Sequence, residues 1–167
     1  RRFVFNWWSE KIIQSKVLVI GMGGLGCPVA EFLTRAGIGT LGIVDPDNVE
    51  LSNLHRQSLY DIEDLNKPKV SAAFEKLKKI NPKTKVTKYK IRLDKKNFNK
   101  IIKNYDYVID GSDNFKTKFL INDFFIKSKK KFVSGAISKF DGHVFTFNFK
   151  NKKNPCLRCF FQENDIS

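Results

Sequence analysis

Three glycines, Gly21, Gly23 and Gly26, follow directly on the apolar run Lys16-Val17-Leu18-Val19-Ile20. Their spacing is GxGxxG, which suits a turn that cradles phosphate. Gly21 permits the tight turn, Gly23 lets a phosphate approach the backbone, and Gly26 lets the next helix pack on the strand. The start of that helix adds free N–H groups and the positive end of a dipole. Further on, Asp45 closes a second apolar run, Thr40-Leu41-Gly42-Ile43-Val44. An acid at that place accepts hydrogen bonds from ribose hydroxyls. Up to this point a nicotinamide-dependent oxidoreductase fits as well as any other nucleotide-binding protein.

The next residues argue for phosphate chemistry instead. Leu51-Ser52-Asn53-Leu54-His55-Arg56-Gln57 is a dense polar cluster just past the acid. Arg56 is a permanent cation whose forked donors match phosphate oxygens. Lys69 follows Lys67-Pro68 at the start of another helix, and Asp113 lies at the carboxyl end of a central strand. Cations there neutralise charge developing on a phosphate, and a carboxylate holds Mg2+ against phosphate oxygens. Hydride transfer needs none of the three. Each has a plainer reading on its own: Arg56 as a surface ion-pair partner, Lys69 as a solvated helix lysine, Asp113 as a helix cap. Their joint placement favours function, and Arg56, Lys69 and Asp113 form the candidate catalytic set. Cys156-Leu157-Arg158-Cys159 is a CxxC pair near the end of the chain. It reads as an incomplete metal site or a redox dithiol.

These residues need a strand–loop–helix scaffold, and the hydrophobic pattern supplies one. Residues 7–14 read as a short lead-in helix. The runs at 16–20 and 40–44 read as buried parallel strands. A helix from about Gly24 to Ala36 carries Val29, Phe32 and Leu33 on one face and stops at Gly37. A polar loop, 48–66, leads to a helix from about Pro68 to Ile80, closed by Asn81-Pro82. Residues 85–91 alternate as a strand, 96–103 form a short helix, and 105–109 another buried strand. A helix from about Phe115 to Lys127 and a strand from Lys131 to Ile137 follow. His143 to Phe149 alternates as a half-buried, antiparallel edge strand. Strands alternating with helices predict an α/β fold: a doubly wound, Rossmann-like, mostly parallel sheet with an antiparallel extension. No internal repeat or low-complexity linker interrupts residues 1–167, which read as one nucleotide-binding domain.

Composition narrows the function classes. The 167 residues are 41% hydrophobic, enough for a sizeable core. No apolar run approaches the ~20 residues of a membrane span. No signal peptide is visible, so a cytoplasmic location is expected. A net charge of +14, from 31 Lys+Arg against 17 Asp+Glu, raises the question of a nucleic-acid or membrane partner. The lysines are scattered, however, and no arm or aromatic platform focuses them. The densest cluster, Lys127-Ser128-Lys129-Lys130-Lys131, sits between a helix and a strand. Neither nucleic acid nor a membrane is therefore expected, and an acidic protein partner also suits the charge. Three cysteines are a poor number for a disulfide framework, and Cys27 reads as a small packing residue.

In order along the chain stand GMGGLGCPVAEFLTRAGIGTLGIVDPDNVELSNLHRQ, KPKV, INP, YDYVIDGSDN, FVSGAISKFDGHVFTF and PCLRC. Through these blocks nearly the whole chain resembles the ubiquitin-activating-enzyme-like adenylyltransferases. The resemblance is strongest to the bacterial enzymes that activate sulfur-carrier proteins for molybdopterin or thiazole synthesis. It implies an ATP site over the glycine loop, with Gly24 at a backbone contact and Asp45 as the ribose-binding acid. Asn53, Arg56 and Gln57 match a phosphate-contacting SNLxRQ segment, and Lys69 matches a lysine that reaches the phosphates. Asp113, with Asn114 beside it, matches the Mg2+-associated aspartate. Cys156 and Cys159 match the first half of a tetrahedral, four-cysteine Zn2+ site whose second CxxC lies downstream. The resemblance also implies a homodimer and a small ubiquitin-like sulfur-carrier protein as partner. That carrier's C-terminal glycine carboxylate would be adenylated with release of pyrophosphate. The chain departs from the pattern at both ends. It lacks an N-terminal arginine segment that reaches a partner subunit, Arg1 and Arg2 being too near the glycine loop to match it. It also stops before the second CxxC, and so reads as a piece of a longer protein. Adenylation of a tRNA-base carboxylate is the alternative within the family, and the CxxC weighs against it. An NAD-dependent oxidoreductase or a non-catalytic nucleotide-binding module are the readings from other classes.

Overall fold

The computed structural model describes residues 7–129, 131–151 and 153–161; Arg1, Arg2 and Lys130 fall outside the described residues. After a lead-in helix, α1 (Trp7–Gln14), comes β1 (Lys16–Ile20), in which an exposed lysine precedes four buried residues. A strand with no polar face belongs inside a sheet. It pairs in parallel with β2 (Thr40–Val44) on one side and with β4 (Tyr107–Asp110) on the other. β3 (Lys85–Tyr89) extends the sheet beyond β2, and β5 (Lys131–Ser138) extends it beyond β4, both again parallel. β6 (Asp141–Asn148) folds back antiparallel on β5 at the edge. The resulting order, β3-β2-β1-β4-β5-β6, is the doubly wound arrangement the sequence predicts.

Parallel neighbours need crossovers, and helices supply them. Successive side chains of a strand point to opposite faces. Val17 and Val19 of β1 accordingly join one core, packed under α2 (Gly26–Arg35) and α3 (Lys69–Ile80) through Ala30, Val70, Ala73 and Leu77. Leu18 and Ile20 join a second core on the other face, with α4 (Phe98–Ile102) and α5 (Phe115–Ser128). That second core is aromatic. Phe132 stacks on Phe147 at 4.7 Å, and Phe125 lies 4.9 Å from Phe132. Many of the chain's 16 phenylalanines are used here, which is why β6 alternates as it does. A final turn, α6 (Leu157–Phe160), lies against α5 through buried Leu157.

Three expectations shift. The helix after the glycine loop begins at Gly26 rather than near Gly24, leaving the preceding residues in turn geometry. β4 begins at Tyr107, because Tyr105 instead turns under the sheet, where a side chain on Gly42 would collide with its hydroxyl. Phe32 is not on the packed face of α2. It is 68% exposed, and the buried positions are Gly26, Cys27, Ala30 and Thr34. With Pro28, Val29, Leu33 and Ile109 it lines an open apolar groove. Among the described residues, no helix is long and apolar enough to cross a membrane.

Candidate nucleotide site

The sheet order reverses between β1 and β4, so the loops leaving their carboxyl ends diverge and open a crevice, where such sheets bind ligands. One loop is Gly21–Leu25 and the other runs from Gly111 to Asn114. They touch at their roots. Gly21 adopts φ +84°, and a Cβ there would lie 2.8 Å from the Gly111 carbonyl oxygen. A Cβ on Gly26 would collide with the Gly21 carbonyl. These two glycines are required by the protein itself. Gly23 and Gly24 are not: a Cβ would make only ordinary contacts, with Gln57 Nε2 at 3.8 Å on Gly23 and with Arg56, nearest at Cγ 3.5 Å, on Gly24. Among the described residues, the N–H groups of Gly23, Gly24 and Leu25 meet no protein acceptor. The loop therefore offers free donors beside open space, as an anion site does.

The polar loop after β2 supplies the opposite rim. A single 3-10 turn, Leu51–Asn53, starts it, and the backbone N–H groups of Arg56 and Gln57 both donate to the Asn53 carbonyl, at 3.2 and 3.1 Å. This turn brings Asn53, Arg56 and Gln57 together. Arg56 is exposed, lies over Gly24, and donates from Nη1 to the Ser52 carbonyl at 3.1 Å. The same Nη1 lies 3.4 Å from His55 Nε2. Asn53 is half-buried and donates to Ser52 Oγ at 3.1 Å. Gln57 is buried, and its Oε1 has no hydrogen-bond partner among the described residues. An orphaned buried acceptor costs about 1–3 kcal/mol unless something supplies a donor.

Asp45 and Lys69 are more enclosed than the sequence suggests. Asp45 is buried and accepts from the Met22 N–H at 2.7 Å and from the Asp47 N–H at 2.8 Å. Burial pushes its carboxyl above the usual range, opposed by those two amides. It thus braces the glycine loop as well as standing at its rim. Lys69 is buried at the start of α3, with Nζ 3.7 Å from the exposed Asp47 carboxylate. Asp113 is exposed, two residues beyond the Gly21–Gly111 contact, and accepts from Asn114 Nδ2 at 3.4 Å. Asn114 itself is the N-cap of α5, its Oδ1 accepting from the Thr117 N–H at 2.9 Å.

Behind Asp113 lies a buried polar group absent from the sequence expectations. Asp110 ends β4 with no exposure and accepts from Lys118 Nζ at 3.0 Å, Ser134 Oγ at 2.8 Å and Ser112 Oγ at 2.6 Å. Lys118 also donates to the Gly135 carbonyl at 2.7 Å. A buried ion pair fully wrapped in hydrogen bonds fixes the loop on which Asp113 stands.

The CxxC is held apart from the glycine loop. Asn122 Oδ1 accepts from the Leu157 N–H at 2.9 Å, and Arg158 makes two bonds of 2.9 Å to Asp123. Residues 122–123 lie about two turns along α5 from its N-cap, roughly 12 Å at the rise of a helix. Both cysteines are free, with their sulfurs 3.7 Å apart. That is close to the edge of a tetrahedron of Zn–S bonds of about 2.3 Å, and well beyond a disulfide bond. Among the described residues, no group of three or more His, Cys, Asp or Glu side chains is placed to hold a metal.

Known proteins resemble this chain in sequence and in fold. The "Sulfur carrier protein adenylyltransferase" of Thermus thermophilus is 44% identical over 156 residues, covering 92% of this chain and 58% of that protein. The "Adenylyltransferase and sulfurtransferase MOCS3" of Dictyostelium discoideum is 43% identical over 150 residues, covering 90% of this chain and 35% of that protein. The chain therefore spans less than two thirds of either relative. The crystal structure of E. coli MccB has the same fold, with a TM-score of 0.83 at 23% identity over 90% of this chain and 44% of that one. E. coli tRNA N6-threonylcarbamoyladenosine dehydratase, TcdA, solved in complex with ATP, gives a TM-score of 0.73 at 28% identity over 75% of this chain and 52% of that one. The sequence pattern of the ThiF family matches residues 4–167, and the chain belongs to the ThiF family.

Proposed function

We propose that this chain is the adenylation part of an enzyme that activates the C-terminal glycine carboxylate of a small ubiquitin-like sulfur-carrier protein. The observation that carries the reading is the open face of Gly23 and Gly24, with free backbone donors, Arg56 lying over it and the orphaned Gln57 carbonyl beside it. The Thermus relative, named a sulfur carrier protein adenylyltransferase, supports the substrate class, and the Dictyostelium relative, named an adenylyltransferase and sulfurtransferase, supports the reaction type. In the proposed reaction a carboxylate oxygen of the carrier attacks the α-phosphorus of ATP. The bond from that phosphorus to the bridging oxygen breaks, pyrophosphate leaves, and an acyl-adenylate remains. No protein nucleophile is needed. Arg56 and Lys69 oppose the charge that grows on the phosphates, and the glycine loop orients them. Asp113 is an exposed single carboxylate, which fits Mg2+, an ion that takes one or two carboxylates and otherwise keeps water and substrate phosphates. When bound, the ion would neutralise phosphate charge. Cys156 and Cys159 would give two of four thiolates to a structural Zn2+.

ATP–pyrophosphate exchange by the full-length protein, with a carrier ending in Gly-Gly, tests this. Exchange is expected with the cognate carrier, and Asp113→Ala should abolish it while leaving the melting temperature unchanged. Normal exchange in that variant removes Asp113 from the mechanism, and absence of exchange with every Gly-Gly carrier overturns the proposal. The likeness to TcdA and the charge of +14 favour a second reading, adenylation of a tRNA-base carboxylate. Exchange driven by tRNA, falling steeply with salt, would establish it instead.

A further inference from the structure

Met22, the second residue of the glycine loop, is held through its backbone by three side chains. Its N–H donates to Asp45, and its carbonyl accepts from Tyr60 Oη at 3.0 Å and from Cys27 Sγ at 3.4 Å. All three holders are buried, and the Met22 side chain is itself fully buried. Tyr60 comes from the far end of the polar loop, 38 residues away, so this is a tertiary restraint on the turn. A trans peptide points its C=O and N–H in opposite directions, and no peptide in the described chain is cis. Because the Met22 carbonyl points inward to Tyr60 and Cys27, the Gly23 N–H of the same peptide points outward. Gly23 itself is open: a Cβ there would meet only Gln57 Nε2, at 3.8 Å.

We propose that Tyr60 and Cys27 are positioning residues that fix the Met22–Gly23 peptide with its N–H turned to the phosphates of a bound nucleotide. Without them the peptide is free to rotate and present a carbonyl, which repels phosphate. Resting on the nucleotide-site reading above, the inference adds two residues that touch no nucleotide. Burial pushes the Cys27 thiol up to about 11 and the Tyr60 hydroxyl higher still. Both therefore stay protonated, as donors, at neutral pH.

The test titrates ATP, adenosine and NAD into the full-length protein and into Tyr60→Phe, Cys27→Ser and the Tyr60→Phe/Cys27→Ala pair. One charge-assisted hydrogen bond lost to phosphate predicts a fall in ATP affinity of about tenfold in the pair. Adenosine affinity should stay unchanged, because adenosine has no phosphate. Cys27→Ser keeps a donor and should keep ATP affinity. Equal losses for ATP and adenosine would mark a merely structural role and overturn the proposal, as would unchanged ATP affinity in the folded pair. If the pair does not fold, the same ATP–adenosine comparison on Tyr60→Phe alone decides. A wild-type protein that prefers NAD overturns the ATP reading, and the clamp is then read on NAD against adenosine. A wild type that binds none of the three overturns both.

Discussion

Lys118 sits in the apolar stripe of α5, in step with Phe115, Phe119, Asn122 and Phe125. Its ammonium is tolerated there only because Asp110 and the Gly135 carbonyl accept from it, Asp110 supplying the counter-charge and being held in turn by the Ser134 hydroxyl. Removing one partner of such a pair leaves the other buried without its counter-charge. Lys118→Met should therefore cost roughly 3–5 kcal/mol, read from denaturant unfolding, and Asp110→Asn on the same background should recover much of it. A loss within the range of ordinary surface substitutions would show that the pair is not the buried brace described. The glycines and Asp45 were legible in the sequence because their constraint is local: a turn, a strand end, a fixed spacing. Lys118, Ser134 and Tyr60 were not, because their partners lie 8, 24 and 38 residues away and only the folded sheet brings them together. A polar residue in an apolar stripe was the one available signal, and Lys118 and Asn122 both carried it.

At the level of elements, α5 links three things: the Asp113 loop at its N-terminus, the Asp110 pair through Lys118 in its first turn, and the CxxC turn through Asn122 further along. Asn114 is the cap that starts it. Asn114→Ala should lower stability by about 1 kcal/mol, whereas Asn114→Asp keeps a capping oxygen and should not. Exchange activity lost in Asn114→Asp at unchanged stability would show that the side-chain amide also serves the nucleotide, and retained activity would restrict Asn114 to the cap. The Arg158–Asp123 bonds hold the Asp123 carboxyl below its usual range. Their contribution is accordingly present above the ordinary carboxylate pKa and is lost as pH falls through the depressed value. Most element types and orders were readable from periodicity. The face of α2 was not. Periodicity shows that Val29, Phe32 and Leu33 share a side, but small residues, Gly26, Cys27 and Ala30, are what the close approach to β1 demands, and they took the buried side.

For the molecule as a whole, the two cores on opposite faces of one sheet place every candidate residue except the CxxC at the carboxyl ends of the strands. The CxxC turn is instead held to α5 through Asn122 and Asp123, with Cys156 packed against the aromatic core. Chelation of the proposed zinc from the full-length protein should therefore lower its melting temperature, with ATP affinity falling less than stability. One zinc per chain by elemental analysis is the accompanying expectation, and absence of zinc together with an unmoved melting temperature would remove the metal from the account. The contact of Gly21 with the Gly111 carbonyl has a mechanical consequence. With no side chain between them, the two loop roots meet backbone to backbone and behave as one rigid plate. The opposite wall, the 48–66 segment that carries Arg56 and Gln57, is tied to the same plate through Tyr60, whose hydroxyl donates to the Met22 carbonyl. A side chain placed at Gly21 would act as a wedge driven between the two roots.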